Sequence, residues 1–437
     1  MINLPFVSNV WLYSLINIAL TTIHPKGDCH ETEVIFLKIY HFVALTSTFS
    51  HFYYDFILKQ GILQEKSGGF FRQCYAKKAY LILADGTVFT GKSFGKEGSV
   101  IGEIVFTTAM TGYEETLSDP SYCGQIVTQT FPLIGNYGTN DYDYESKGSV
   151  VSGYIVREWC EKPSNFRCQY TIDEFLKKHG IIGLYDIDTR RLTRIIRETG
   201  VMNGMITTEE FDKEKVLAEI KAYTVGKVVP KVSVEKPEKH DVENPKFNVA
   251  LIDYGYKYNI RRELEKRGCN VTVMPWNSTA DEIKALNPDG IMLSNGPGDP
   301  TDNPESIETL RNLIPAQIPT FGICLGHQLL ALANGAKTVK LKYGHRGGNQ
   351  PVTDLDRDRT YITSQNHGYA VVSDTVPAEV GKVSHINGND KTCEGVKYTN
   401  APAFTVQFHP EACGGPQDTA YLFDEFIELM QTKGGNK

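Results

Sequence analysis

The chain has 437 residues, carries a formal net charge of −7 and is 41% hydrophobic and 22% charged, an ordinary globular composition with length enough for more than one core. That charge, with no run of Lys and Arg, excludes a surface that tracks a phosphate backbone, so no nucleic-acid partner is expected. Nine cysteines without C-x-x-C spacing argue against a disulfide framework or a zinc knuckle and fit a cytoplasmic protein.

Residues 1–75 stand apart as an aromatic-rich, charge-poor extension. Its stretch PFVSNVWLYSLINIALTTI has a membrane-seeking look, but Ser8, Asn9, Ser14, Asn17, Thr21 and Thr22 interrupt it and no Lys or Arg precedes it, so it is expected neither to insert nor to act as a signal. The plainer expectation is a disordered or artefactual extension. After Met1 the next methionine is Met110, inside the domain that follows.

Residues 76–228 read as a β-rich α+β domain. GTVFTGKS, Gly86 to Ser93, fits the phosphate-loop pattern G-x-x-x-x-G-K-[ST]. The chemistry of that pattern needs a loop opening into a helix, whereas AYLILADGTVFTGKSFG alternates, turns at Asp85-Gly86 and alternates again. The spacing predicts a β-hairpin and no nucleotide site. Strands follow in GEIVFTTAM, QIVTQTF and VVSGYIV, and DTRRLTRIIRETG predicts a helix with Asp188 as N-cap, Leu192, Ile195 and Ile196 on one face, and Gly200 as stop. Residues 229–246 are polar and proline-punctuated, as a linker is.

From 247 to 437 the period changes to apolar strands alternating with helices: FNVALIDYG, NIRRELEKRG, CNVTVMPW, TADEIKALN, DGIMLSN, PESIETLRNLI, PTFGIC. This predicts an α/β domain with a central, mostly parallel sheet and helices on both faces, its ligand at the carboxyl ends of the strands. Three motifs fall at those ends. FGICLGHQLLALANG places Cys324 in a G-x-C-x-G turn between a strand and a helix, the thiol form of the nucleophile elbow, with the helix N-terminus expected to favour thiolate. APAFTVQFHPEA ends in His409 and Glu411, two residues apart, so that the carboxylate can fix the imidazole tautomer. LSNGPGDP supplies Gly296 and Gly298, whose bare backbone, with the Leu325 N–H, can face an oxyanion.

A thiol, a histidine and a carboxylate make a triad for acyl transfer. Other histidines compete for the base role. His327 lies one turn along the helix and points away from the sulfur, His345 sits in a glycine-rich loop, and His367 follows an alternating strand. A metal held by Cys324 and some of these histidines is the weaker alternative, and none is expected.

With these motifs the stretch 247–433 resembles the class I (triad) glutamine amidotransferases. GYEETLSDPSYCGQIVTQTFPLIGNYG and DIDTRRLTRIIRETGVMNGMI look like the N-terminal domain of the carbamoyl-phosphate synthase small-subunit family. The resemblance implies Cys324 as nucleophile, His409 as general base and acid, and Glu411 as its orienter. It implies that L-glutamine is held by Ser121, Gly296, Gly298, Leu325, Gln328, Asn366, Gly368 and Tyr369. It further implies a γ-glutamyl thioester and ammonia delivered to a large subunit, which makes carbamoyl phosphate from bicarbonate and ATP with Mg for arginine or pyrimidine biosynthesis. No cofactor is then expected on this chain, and no membrane. The chain departs from the family pattern at Cys413-Gly414, where a Ser-Pro pair is expected. Rival readings are an amidotransferase of another biosynthesis, a silent docking scaffold and a free-standing cysteine hydrolase.

Overall fold

A computed structural model of the chain describes residues 76–434. The extension and its apolar stretch lie outside the described residues. Among the described residues no helix is long and apolar enough to cross a membrane.

The first domain is a closed barrel. Its strands are β1 (Lys78–Leu83), β2 (Val88–Gly95), β3 (Ser99–Thr107), β4 (Gln125–Gln129), β6 (Gly153–Ile155), β8 (Ile182–Tyr185) and β9 (Met202–Thr207), with a side ladder of β5 (Leu133–Ile134) and β7 (Glu158–Trp159). Around the barrel the order is β1-β2-β8-β6-β4-β3-β9. The phosphate-loop look-alike is the hairpin β1–β2, paired from Lys78↔Lys92 to Ile82↔Val88, with its turn closed by the Thr87 N–H donating 2.8 Å to Asp85 Oδ1. Period-two alternation sorts its side chains. Leu81 and Leu83 join Ile104, Ile126, Ile155, Leu184 and Ile206 in a cluster drawn from every barrel strand, while Ile82 packs outward under Val216 and Ile220 of the helix Lys213–Ala222. The helix Thr189–Thr199 plugs one end with Leu192 and Ile196, capped by Asp188, whose carboxylate accepts from the Arg191 N–H, and ended at Gly200. Sequence alternation thus builds the barrel wall, and the helix completes its core.

The second domain is a ten-stranded sheet. Its strands are β10 (Glu238–His240), β11 (Phe247–Asp253), β12 (Cys269–Pro275), β13 (Gly290–Leu293), β14 (Thr320–Ile323), β15 (Thr338–Asp354), β16 (Arg359–Val371), β17 (Gly381–Asn387), β18 (Cys393–Tyr398) and β19 (Ala403–Val406), ordered β10-β12-β11-β13-β14-β19-β18-β17-β15-β16. The five strands β12 to β19 of the centre are parallel, and the flanks are antiparallel. Alternate residues of these strands feed two cores. Ile252 and Leu293 meet Leu329 and Leu310 on one face; Leu251, Phe321 and Ile323 meet Leu264, Phe423 and Phe426 on the other. Each of these is large and fully buried or nearly so, and truncating Phe321 to Ala costs about 3–5 kcal/mol.

Two expectations change here. The segment 229–246, read as a linker, contributes a short helix, Val229–Val232, and the edge strand β10, which pairs with β12 through Lys239↔Thr272; three paired residues are too few for a periodic signal. The glycine-rich stretch around His345, read as a loop, lies within the 17-residue strand β15. Register shifts at Lys340/His345 and Gly347/Gln350 break its alternation, which is what hides a bulged strand from pattern reading.

The long β15–β16 hairpin also touches the barrel, through the Thr108 N–H to Arg346 O at 3.3 Å, the Val201 N–H to Lys342 O at 2.9 Å and the Lys340–Glu103 ion pair at 2.7 Å. Barrel and sheet therefore share a wall, and the site sits there.

Candidate active site

Cys324 terminates β14 with φ 52° and ψ −102° and caps the helix Leu325–Ala333. A non-glycine residue in this region is strained, and the surroundings hold it there. Its N–H donates to Val406 O at 2.9 Å. The flanking glycines are steric requirements, since a Cβ on Gly326 would stand 2.5 Å from Leu293 O and one on Gly322 would stand 2.8 Å from Thr405 Cγ2. The G-x-C-x-G pattern is thus the sequence imprint of a close helix–strand approach.

The thiol is buried and donates to Asn366 O at 3.7 Å. The expected thiolate does not follow. Burial pushes the Cys324 thiol above its ordinary range and Asp119 adds to this, while Lys257 and the Leu325 N–H pull the other way and lose. Desolvation at a nearly inaccessible sulfur outweighs the terminus of one nine-residue helix.

β14 and β19 are parallel neighbours in the register Ile323↔Val406, so the chain leaving β19 passes beside the elbow. It carries His409, whose Nδ1 lies 2.7 Å from Glu411 Oε1, and Lys257 Nζ lies 2.5 Å from the same oxygen. All three side chains are buried. Burial alone would raise the Glu411 carboxyl, but Lys257 and then His409 hold it down to about 2. Burial would likewise lower Lys257, and Glu411, Asp119 and Glu145 together raise it above the ordinary lysine value. With a carboxylate on Nδ1, the proton of the neutral ring sits there and Nε2 keeps its lone pair. His409 Nε2 is buried without a hydrogen-bond partner.

The barrel supplies the opposite wall. Asp119 caps the turn Pro120–Tyr122, accepting from the Ser121 N–H at 2.9 Å, and its other oxygen accepts from Asn366 Nδ2 at 3.1 Å. Asn295 Nδ2 donates to Ser121 Oγ at 2.9 Å. Ser121, Gly296, Gly298, Cys324, Gln328, Asn366, Gly368 and Tyr369 line one cleft of about 320 Å³. His409 and Glu411 line an adjoining cavity that shares Asn366 with it. The Leu325 N–H faces the sulfur. Gln328 has its NH2 committed to Tyr369 O at 2.8 Å and Gln407 Oε1 at 2.9 Å, so it braces the cleft wall. Gly296 is bare because a Cβ there would stand 2.2 Å from Tyr254 O.

His327 is turned away, its Nδ1 2.8 Å from Thr405 Oγ1, and burial lowers its pKa to about 3. It stays neutral and committed to Thr405.

The comparisons with known proteins agree with this geometry. Residues 250–429 match the family model "Glutamine amidotransferase class-I", and residues 81–206 match "Carbamoyl-phosphate synthase small chain, CPSase domain". A carbamoyl phosphate synthase small chain of Listeria monocytogenes serotype 4b is 51% identical over 364 residues, which cover 82% of this chain and 98% of that protein. One of Bacillus cereus is 52% identical over 354 residues, 81% of this chain and 96% of the relative.

The chain belongs to the carbamoyl phosphate synthase small-chain family. It is the glutamine-hydrolysing subunit, with a class I amidotransferase domain behind a small-chain barrel. Two residues of this small-chain site escape sequence reasoning. Lys257 sits just beyond the strand end of β11, and Asp119 caps the turn in LSDPSY. The Asp-Pro-Ser cap signal beside Ser121 was available for the second; nothing local marks the first.

Proposed function

We propose that Cys324, His409 and Glu411 hydrolyse the side-chain amide of L-glutamine and that the ammonia passes to a large synthase chain. The observation that carries this reading is the buried relay Lys257–Glu411–His409, ending in an unpartnered Nε2 on the chain that leaves β19, the strand beside the elbow of Cys324. Glutamine in the cleft draws the thiol off Asn366 O, and the thiol proton goes to His409 Nε2 as Sγ attacks the amide carbon. The Leu325 N–H and the Gly296–Gly298 loop face the oxyanion, and Ser121, Asn366, Gly368 and Tyr369 hold the substrate. His409⁺ returns its proton to the leaving nitrogen, releasing ammonia and a γ-glutamyl thioester. Water, deprotonated by His409, then attacks the thioester carbonyl, and glutamate leaves as Sγ regains its proton. Glu411, held ionised by Lys257, stabilises the imidazolium in both halves.

This chemistry needs no metal or cofactor on the small chain. ATP and Mg belong to the large chain, which converts the ammonia and bicarbonate to carbamoyl phosphate. All seven described cysteines are free, which supports a cytoplasmic setting.

The test is glutamine- against ammonia-dependent synthesis in the reconstituted complex. Cys324→Ser is expected to lose glutamine hydrolysis by at least about 1,000-fold while synthesis from added ammonium salt persists. Glutaminase activity surviving in that variant rules out the thiol as nucleophile, and no glutaminase in the wild-type complex makes the chain a scaffold.

A further inference from the structure

At the cleft wall, which His367 lines, the antiparallel flank of the sheet gathers three buried side chains that the hydrolysis does not use. They are His345 on β15, His367 on β16 and Glu394 on β18, and their donor atoms all lie within 4.8 Å of one another. Their exposures are 8%, 5% and 0%.

Each imidazole is already oriented as a metal ligand is. His345 Nε2 lies 2.8 Å from Asp390 Oδ2, so its proton sits there and Nδ1 turns its lone pair toward Glu394, 3.6 Å from Oε1. His367 Nδ1 donates to Tyr369 O at 2.7 Å, and Nε2 lies 2.9 Å from Gln365 Oε1, so Nε2 becomes the free lone-pair nitrogen only when that side chain turns aside. A carboxylate on one far nitrogen and a backbone carbonyl on the other are the two common outer-shell partners of metal-bound histidine. His345 Nδ1 and Glu394 Oε2 are buried without hydrogen-bond partners, while Glu394 Oε1 accepts from Asn387 Nδ2 at 2.8 Å. Two orphaned buried acceptors in one cluster are costly unless something positive meets them.

Asp390 and Glu394 both face His345 and draw positive charge to that side of the group, while the buried Arg346 opposes it at His367. We propose that His345 Nδ1, His367 Nε2 and Glu394 bind one divalent transition-metal ion, zinc by preference, as a structural site. Two imidazole nitrogens and one carboxylate suit zinc far better than magnesium or calcium, which take oxygen ligands. Ligand atoms around tetrahedral zinc stand about 3.3 Å apart, so binding draws the three inward by about an ångström or less. The Gln365 side-chain amide, 2.9 Å from His367 Nε2, must turn aside. Because His367 lies between Asn366 and Gly368, the ion would pin β16 to β15 and β18 at the cleft wall. His367 lines the cleft and feels the charge of His409, but no step of the hydrolysis passes through the ion.

The test uses the full chain, stripped with EDTA and then titrated with Zn²⁺ or Co²⁺. The expected result is about one equivalent retained through gel filtration, visible Co²⁺ d–d bands and a melting temperature several degrees higher with Zn²⁺. Glu394→Gln and His345→Gln are expected to lose the ion and the Zn²⁺-dependent shift while melting in EDTA near the stripped wild type, and Cys324→Ser to keep the ion. Retention below about 0.1 equivalent, a full equivalent in folded Glu394→Gln or His345→Gln, or loss of the ion in Cys324→Ser would overturn the assignment. Glutaminase activity is not the readout, so failure here leaves the triad reading standing.

Discussion

Replacing Lys257 by Met tests whether a buried cation keeps the relay ionised. The Lys257 and Glu411 side chains are 9% and 0% exposed and 2.5 Å apart, and removing one member of such a pair costs about 3–5 kcal/mol. With about 1.4 kcal/mol for each tenfold change in proton affinity, a loss of about 3 kcal/mol carries the carboxyl from about 2 to about 4, with burial pushing the same way. The sign follows from the depressed value. The contribution of Glu411 is fully present above the unfolded glutamate pKa, about 4.3, and is lost as the pH falls towards 2. The variant is therefore expected to be about 3 kcal/mol less stable than wild type at about pH 7.5, with the gap narrowing below about pH 4.5. Glu145, already pushed up to about 7 by burial against the pull of Lys257, rises further in the variant and is protonated at neutral pH. Urea unfolding from neutral pH down to about pH 3 reads the stability effect, and the pH profile of glutaminase kcat/KM reads the rise of the Glu411 carboxyl as an acid limb displaced upwards. A loss of less than about 1 kcal/mol at neutral pH, or a gap that does not close in acid, would show that the ion pair does not hold Glu411 down.

Two further substitutions probe the walls of the cleft. Gly296→Ala drives a methyl to 2.2 Å from Tyr254 O and 2.8 Å from Leu325 Cδ2; the loop must shift, so glutamine KM is expected to rise at least about tenfold with about 1–3 kcal/mol of stability lost. Unchanged glutamine kinetics would mean the loop does not face the substrate. Asp119→Asn removes the charge that helps keep the thiol protonated. The pH–rate curve for iodoacetamide alkylation of Cys324 is then expected to move to lower pH, with alkylation at neutral pH about tenfold faster if the thiol acidity rises about tenfold. An unmoved curve would remove Asp119 from the electrostatics of the sulfur.

Sequence pattern carried this small chain a long way because its signals are local. The hairpin at Asp85-Gly86, the helix between Asp188 and Gly200, and the strand–helix alternation from Phe247 to Ile323 each arise from contacts within one or two elements. The G-x-C-x-G turn was equally legible, since the glycines that betray it are forced by an adjacent strand. Pattern reading failed where order comes from a distant neighbour. β10 has only three paired residues, and β15 is interrupted by bulges that its partner strand β16 repairs.

The sequence by itself therefore determined the two domains, the elbow and the His409–Glu411 pair, because spacing along one chain segment is enough to place them. Only the tertiary structure decided which way the Cys324 thiol is pushed and the company it keeps. Burial and the field of Asp119 and Lys257 depend on the barrel wall and on the end of β11, which meet the sulfur from residues far apart in the chain. The physical reason is that desolvation and Coulomb energy depend on distance in space and on exclusion of water, and neither is written in the order of residues.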